Sequence, residues 1–162
     1  MSETSPHNQH PQSEREELIA LSGSLCSARA VTAQLVNEVI HAACWRLCAL
    51  PRSEDRGRIE RLVEARAWTD AALALLELEL PQWRIRRICY DEGEWCCALS
   101  RQRELPDWLD QSIESHHEEL SLAILIALVE ARRTRELSGT SVPAVPCRDG
   151  LLYSPLGCDN FS

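Results

Sequence analysis

Apolar residues recur at helical spacing along most of this chain, and one stretch alone switches to alternation. Between about 27 and 50, Val31, Leu35, Val36, Val39, Ile40, Ala43, Cys44, Leu47 and Cys48 fall three or four apart, and Pro51 closes the run. This spacing predicts an amphipathic helix with Gln34, Asn37, Glu38 and His41 as its polar stripe. A second long helix is expected over 53–80, with Ser53 as its N-cap, Glu54 and Asp55 in the first turn and Pro81 as its stop. Ile59, Leu62, Val63, Ala67, Ala71, Leu75 and Leu78 form its core face. From Ala71 to Leu76 it is apolar on every side, which calls for burial by more than one neighbour. A third long helix, over 106–133, opens at Pro106, where a first turn tolerates proline. Leu120 to Val129 is apolar all round except at Ser121, so this part belongs in the middle of the protein or on a self-association surface. A shorter helix is expected from Ser13, where a Glu follows three residues after a possible cap, to Ser22 and Gly23.

The alternating stretch is 83–100, WRIRRICYDEGEWCCALS. Two arms of β-favouring residues flank Asp91, Glu92, Gly93 and Glu94, the composition of a hairpin loop. Period-2 alternation puts Trp83, Ile85, Arg87 and Cys89 on one face of the first arm and Arg84, Arg86, Ile88 and Tyr90 on the other. Trp95, Cys97 and Leu99 share a side of the second arm. A lone hairpin is marginal in water, so helices should cover the side carrying Trp83, Ile85, Trp95 and Leu99. The expected class is mainly α with a β-hairpin (α+β). Residues 1–13 lack large apolar side chains after Met1 and read as a disordered tail. Residues 14–133 read as a single helical domain with the hairpin. Residues 134–162 gather Pro, Gly and Ser and read as a mostly irregular tail.

Charge and composition narrow the functional classes. A formal net charge of -8 argues against a sequence-independent grip on nucleic acid, which requires a basic face. The 17 basic residues are all arginine, which removes Schiff-base chemistry, a P-loop lysine and a lysine base together. The stretch MSETSPHNQHPQSERE has no signal-peptide core, and no apolar run approaches the roughly 20 residues of a membrane helix. A cytoplasmic protein is expected, with no membrane partner and its eight cysteines reduced.

Candidate chemistry is sparse. Glu38–His41 and Glu114–His117 repeat a Glu-x-x-His spacing that, on two helices with a further Glu60 or Glu64, is the ligand pattern of carboxylate-bridged iron. The phase opposes it, since Glu38 and His41 lie on the polar stripe and Glu114 aligns with Asp110 and Glu118, whereas such ligands face a bundle core. His41, Cys44 and Cys48 offer zinc the right donor types but not the Cys-x2-Cys spacing of structural sites, and both cysteines fit the apolar phase as core residues. Cys96 and Cys97 are adjacent in a strand and read as packing residues of opposite faces. No cofactor is expected on this reading, with zinc or iron as the alternatives.

The run WRIRRICYDEGEWCCALSRQRELPDWLD, followed by HHEELSLAILIALVEAR, resembles uncharacterised small bacterial proteins. They share a Trp…Asp-x-Gly-Glu-Trp-x-Cys-x-Leu-Ser hairpin and a downstream helix. The resemblance covers the middle part of the chain and implies no activity. In topology alone, a helix, a hairpin and an apolar helix resemble the helix-sheet-helix sandwich domains of phage-derived proteins. The expected function is a non-enzymatic interaction or regulatory module that binds itself or another protein. Leu122 and Ile126 of the apolar helix and Arg84, Arg86 and Glu92 of the hairpin are its candidate contacts. The competing class is a small metal- or thiol-dependent enzyme built on His41, Cys44 and Cys48 or on the two Glu-His pairs.

Overall fold

A computed structural model describes residues 11–49, 53–101 and 112–138. In chain order these form α1 (Pro11–Ser27), α2 (Ala33–Ala43), α3 (Trp45–Ala49), α4 (Glu54–Glu64), α5 (Trp68–Glu79), β1 (Arg84–Asp91), β2 (Glu94–Ser100), β3 (Ile113–His117) and α6 (Leu120–Ser138). The α+β class holds, with a hairpin extended by a third strand into an antiparallel sheet of order β1-β2-β3. The tails expected over 1–13 and 134–162 are shorter at their inner ends, since α1 already runs from Pro11 and α6 continues to Ser138; the rest of both, like the helix start expected at Pro106, lies outside the described residues.

The all-apolar segment of α6 is the centre of the molecule. Every residue from Leu122 to Val129 is buried, and α1, α2, α5, β2 and β3 all pack around this helix. Burying the Leu122, Ile124, Leu125 and Leu128 side chains contributes about 1.5 to 3 kcal/mol each. α1 lays Leu18, Leu21 and Leu25 on α6, and Ser22 donates to Glu130 of α6 at 2.7 Å. Leu25 keeps α1 helical past the stop expected at Ser22 and Gly23. No described helix is long and apolar enough to cross a membrane.

Each of the three expected long helices is shorter than its hydrophobic pattern. The first begins at Ala33, with Thr32 accepting from the Leu35 N–H as its N-cap. The backbone just before it is engaged elsewhere: His117 bonds the Ala28 carbonyl at 2.9 Å, and the Glu119 carboxylate accepts the Val31 N–H. It then breaks at Cys44, because Glu79 of α5 caps the start of α3. The buried Glu79 carboxylate accepts the N–H groups of Leu47 at 2.7 Å and Arg46 at 3.2 Å. The second long helix does start at the Ser53 cap, with Glu54 and Asp55 in its first turn. It ends at Glu64, where Arg66 enters the left-handed region at φ 55°. Arg66 N–H then bonds Val63 O and Ala67 N–H bonds Leu62 O, the paired bonds of a Schellman motif. α5 restarts at Trp68, and its apolar girdle from Ala71 to Leu76 is buried between α3, α4 and α6 as the pattern required.

The third long helix is corrected most. Residues 113–117 form β3, with Ile113, Ser115 and His117 turned inward and Glu114 and His116 outward, and α6 begins only at Leu120. Cross-strand pairing satisfies this backbone. Ser115 also donates to the Ala123 carbonyl at 2.6 Å, tying the sheet to α6.

The hairpin closes through Glu92 and Gly93, both with positive φ (51° and 94°), the two-residue loop that suits strand twist. Its register carries a second correction. Ile85 pairs with Leu99 but Arg87 pairs with the next residue, Ala98, so Arg86 is an extra residue in β1. Beyond this bulge the alternation inverts. Ile88 and Tyr90 join Cys97 and Trp95 on the side of α6, and Arg87 and Cys89 pass to the outer side. The Trp83, Ile85, Trp95 and Leu99 packing side stands, with Trp83 and Leu99 buried and Ile85 and Trp95 partly so.

Two stability effects follow. Arg66→Gly should raise the unfolding free energy by about 0.5 to 1 kcal/mol, because glycine enters the left-handed region without a Cβ penalty; urea denaturation measures it. Burial raises the Glu79 carboxyl above the ordinary glutamate range, against the opposing pull of the Leu47 and Arg46 N–H groups and the Arg132 charge. With the higher value in the folded state, the native protein holds a proton that the unfolded chain has already lost. The stability this proton brings is complete below the ordinary range and is lost as pH rises through the folded value. Wild type should therefore lose stability relative to Glu79→Gln as pH rises through that window, and parallel profiles would refute the assignment.

Candidate functional site

The outer side of the sheet is built from cross-strand rows. Arg87, Ala98 and Glu114 stand abreast on β1, β2 and β3, and the small central Ala98 lets the outer two meet above it at 3.3 Å. Cys89, Cys96 and His116 form the next row, and Asp91 faces Glu94 at the loop. Arg84 faces Ser100 at the opposite end. Of the hairpin residues expected to meet a partner, Arg84 lies on this outer side, Arg86 is the bulge residue and Glu92 is in the turn, all exposed. They follow one edge of the hairpin and do not form a compact cluster.

The inner side is covered unequally. α6 packs on β2 and β3, leaving β1 as an edge strand that overhangs the helix. Ile88 is therefore 38% exposed and Tyr90 60% exposed although both point to the side of the core. Tyr90 stacks on its cross-strand partner Trp95 with ring centroids 5.2 Å apart. Ile88, Tyr90 and the half-buried Trp95 together make a small apolar surface beside a strand edge that no other strand among the described residues pairs with.

The candidate self-association residues of α6 lie elsewhere. Leu122 is fully buried and Ile126 is 5% exposed, so neither can meet another molecule in this fold. Of the two locations that an all-apolar helix allows, the interior is the observed one.

The metal candidates separate as well. Cys44 is the C-cap between α2 and α3, so His41, Cys44 and Cys48 no longer share one helix. Cys44 is wholly buried, whereas His41 and Cys48 are exposed and Cys48 faces the Ile40 carbonyl. Glu38 and His41 remain on the exposed side of α2, where Glu38 accepts from Gln34 at 3.0 Å. Glu114 and His117 sit three apart in a strand and so point to opposite sides. His117 is committed at both nitrogens: Nδ1 accepts from the Glu119 N–H at 2.9 Å, which leaves Nε2 to donate to Ala28 O. Among the described residues, no three His, Cys, Asp or Glu side chains converge as a metal would require. His41 and Cys48 do meet a groove of about 290 Å³ between α2, α3 and α4, with Ile40, Leu47, Ile59 and Val63 along it and Arg56 and Glu60 paired at 2.9 Å on its rim.

The polar centre that the sequence pattern does not reveal is Glu79. Its α5 phase is apolar, and nothing adjacent in sequence marks it; its partners come from α3 and from the buried Arg132 of α6. The one available signal is phase: of the two acidic residues in the run of leucines, Glu77 falls on the exposed side of α5 and Glu79 on the side of Leu75 and Ala72. Its environment also governs Cys44, whose thiol is pushed well up first by burial, then by the Glu79 and Cys48 charges, with Arg132 opposing. Such a thiol stays protonated and unreactive.

No family model, curated protein or solved structure matches the chain.

Thiol reactivity tests this map. Cys97 is buried and its thiol is pushed up to about 11 by burial and by Cys96. Short alkylation of the native protein near neutral pH should label Cys26 and Cys48, which are exposed, and spare Cys44 and Cys97. Peptide mass mapping reads the pattern, and early labelling of Cys44 would contradict the buried Glu79 centre.

Proposed function

We propose that the protein is a small non-enzymatic interaction module that self-associates, with β1 as its contact strand. The observation that carries this reading is the exposure of Ile88 and Tyr90 on an edge strand that α6 leaves uncovered. An edge strand presents unpaired N–H and C=O groups that a second strand can complete.

The strand is complementary to itself. An antiparallel pairing centred on Cys89 sets Ile88 opposite Tyr90 and Arg87 opposite Asp91 of the second copy. Apolar residues meet on the inner side and opposite charges on the outer side. Both pairs agree with the sides assigned by the β1–β2 register, and the Arg86 bulge lies beyond the paired segment. A two-fold axis repeats each contact, so the same few residues serve both copies. Pairing would continue the sheet across the dimer and shield the Tyr90–Trp95 surface. The buried, hydrogen-bonded state of His117, Glu79 and Cys44 supports the non-enzymatic part of the reading, because these groups are spent on structure.

Sedimentation of the full chain at high micromolar concentration should give a dimer, and Ile88→Glu with Tyr90→Asp should yield a folded monomer with unchanged helical circular dichroism. A wild-type monomer under these conditions would overturn the proposal and leave the β1 arginines as guard charges on a protected edge.

A further inference from the structure

Cys89 and Cys96 are directly opposed in the β1–β2 ladder, with both side chains on the outer side of the sheet. Opposed residues of an antiparallel pair stand about 4.5 or 5.5 Å apart at Cα, and both spacings fall within the roughly 4.4 to 6.8 Å spanned by disulfides. Both cysteines are free thiols, and the Cys89 side chain is within hydrogen-bonding reach of Cys96. We propose that Cys89 and Cys96 form a peroxide-responsive dithiol site that closes to a cross-strand disulfide.

Their surroundings assign different roles. Cys89 is partly exposed on the edge strand and is the thiol that an oxidant reaches. Cys96, on the central strand, is 4% exposed and is reached only through its neighbour. Arg87, in the adjacent row, lies within hydrogen-bonding reach of the Cys96 sulfur and places a positive charge beside the pair. A neighbouring cation favours sulfur in its anionic form. Burial and the Cys89 contact act the other way and raise the Cys96 thiol, so Cys89 reacts first and Cys96 resolves.

The chemistry balances in two steps. The Cys89 thiol attacks one oxygen of hydrogen peroxide, an S–O bond forms as the O–O bond breaks, and Cys89 sulfenic acid and one water result. The Cys96 sulfur then attacks the Cys89 sulfur, the S–S bond forms as the S–O bond breaks, and the hydroxyl leaves with the Cys96 proton as a second water. The two sulfurs together lose two electrons, and peroxide takes up both. Neighbouring Cys97 has no part in this, since its side chain lies on the inner side against the core, opposite Ile88 and Ser115. The site does not depend on self-association, because Cys96 faces Cys89 within one chain; the β1 pairing proposed above also sets Cys89 of a second copy opposite Cys89, and Cys96 is the thiol already within hydrogen-bonding reach.

The test treats the full chain with stoichiometric hydrogen peroxide and digests it, under non-reducing conditions, with a protease that cuts after glutamate. Glu92 and Glu94 separate the two cysteines, so only a disulfide can hold their peptides together. The expected product is a single chain, not cross-linked to another, lighter by two hydrogen atoms, with Cys89 and Cys96 peptides joined and released by dithiothreitol. Fragmentation of the joined peptides distinguishes Cys96 from Cys97 without any variant. Cys96→Ser should stop at Cys89 sulfenic acid, trapped by dimedone, and Cys97→Ala should still form the link. Cys89 carried to sulfinic acid in wild type, a Cys89–Cys89 link between two copies, or oxidation only at Cys26 and Cys48 would each overturn the proposal.

Discussion

An α-helix that is apolar on all sides must be enclosed on all sides, and most of this structure is the enclosure that α6 requires. Two layers serve it: helices α1, α2 and α5, and the sheet through β2 and β3. The sheet alone could not persist, since three short strands with one polar side have only one side to bury. The helices alone would leave Leu122, Ile126 and their neighbours in water. Each layer is stable because the other completes the shell, and β1, which reaches the core through Ile85 at its start and lies beside β2 for the rest, is the strand that α6 covers least.

Polar groups inside the shell fix its geometry. Glu79 of α5 caps α3 and feels the charge of Arg132 on α6, so one carboxylate fixes the start of α3 against α5. His117 and Glu119, at the turn between β3 and α6, hold the backbone between α1 and α2. Thr69 and Ser121 join α5 to α6 at 2.9 Å. Apolar burial supplies most of the stability, yet it is tolerant of small slides and rotations; these directional bonds are not.

Much of this was legible in the sequence, and what was not has a common physical cause. Ser53 and Pro81 act through local backbone chemistry, so they mark their boundaries openly. The all-apolar segment of α6 and the Asp-Glu-Gly-Glu turn are likewise local signals. Glu79 breaks a helix at Cys44 through a tertiary contact with Leu47, 32 residues earlier in the chain than the carboxylate. Arg66 ends α4 in a conformation usually given to glycine, without the glycine that would announce it. β3 hides because only Ile113 of its inward residues is apolar; Ser115 and His117 are buried through hydrogen bonds that a hydrophobicity pattern does not record. The Glu114–His117 pair and the His41, Cys44 and Cys48 trio were separated for the same reason, since each was read on one helix that those contacts interrupt, whereas Glu38 and His41 keep their helix and its exposed side.

Arg86 gives the outer strand a reading frame. Its extra backbone unit decides that Ile88 and Tyr90 meet the core side and that Arg87 and Cys89 meet solvent. Deleting this single residue would take the extra unit out of the ladder and leave the pairs on either side as they are, Ile85 opposite Leu99, Arg87 opposite Ala98 and Cys89 opposite Cys96. Pairing Arg86 with Ala98 as an ordinary strand residue would instead act as a frameshift: Cys89 would leave Cys96, Arg87 would leave Glu114, and two large apolar side chains would turn outward, with no change in any residue of the sequence.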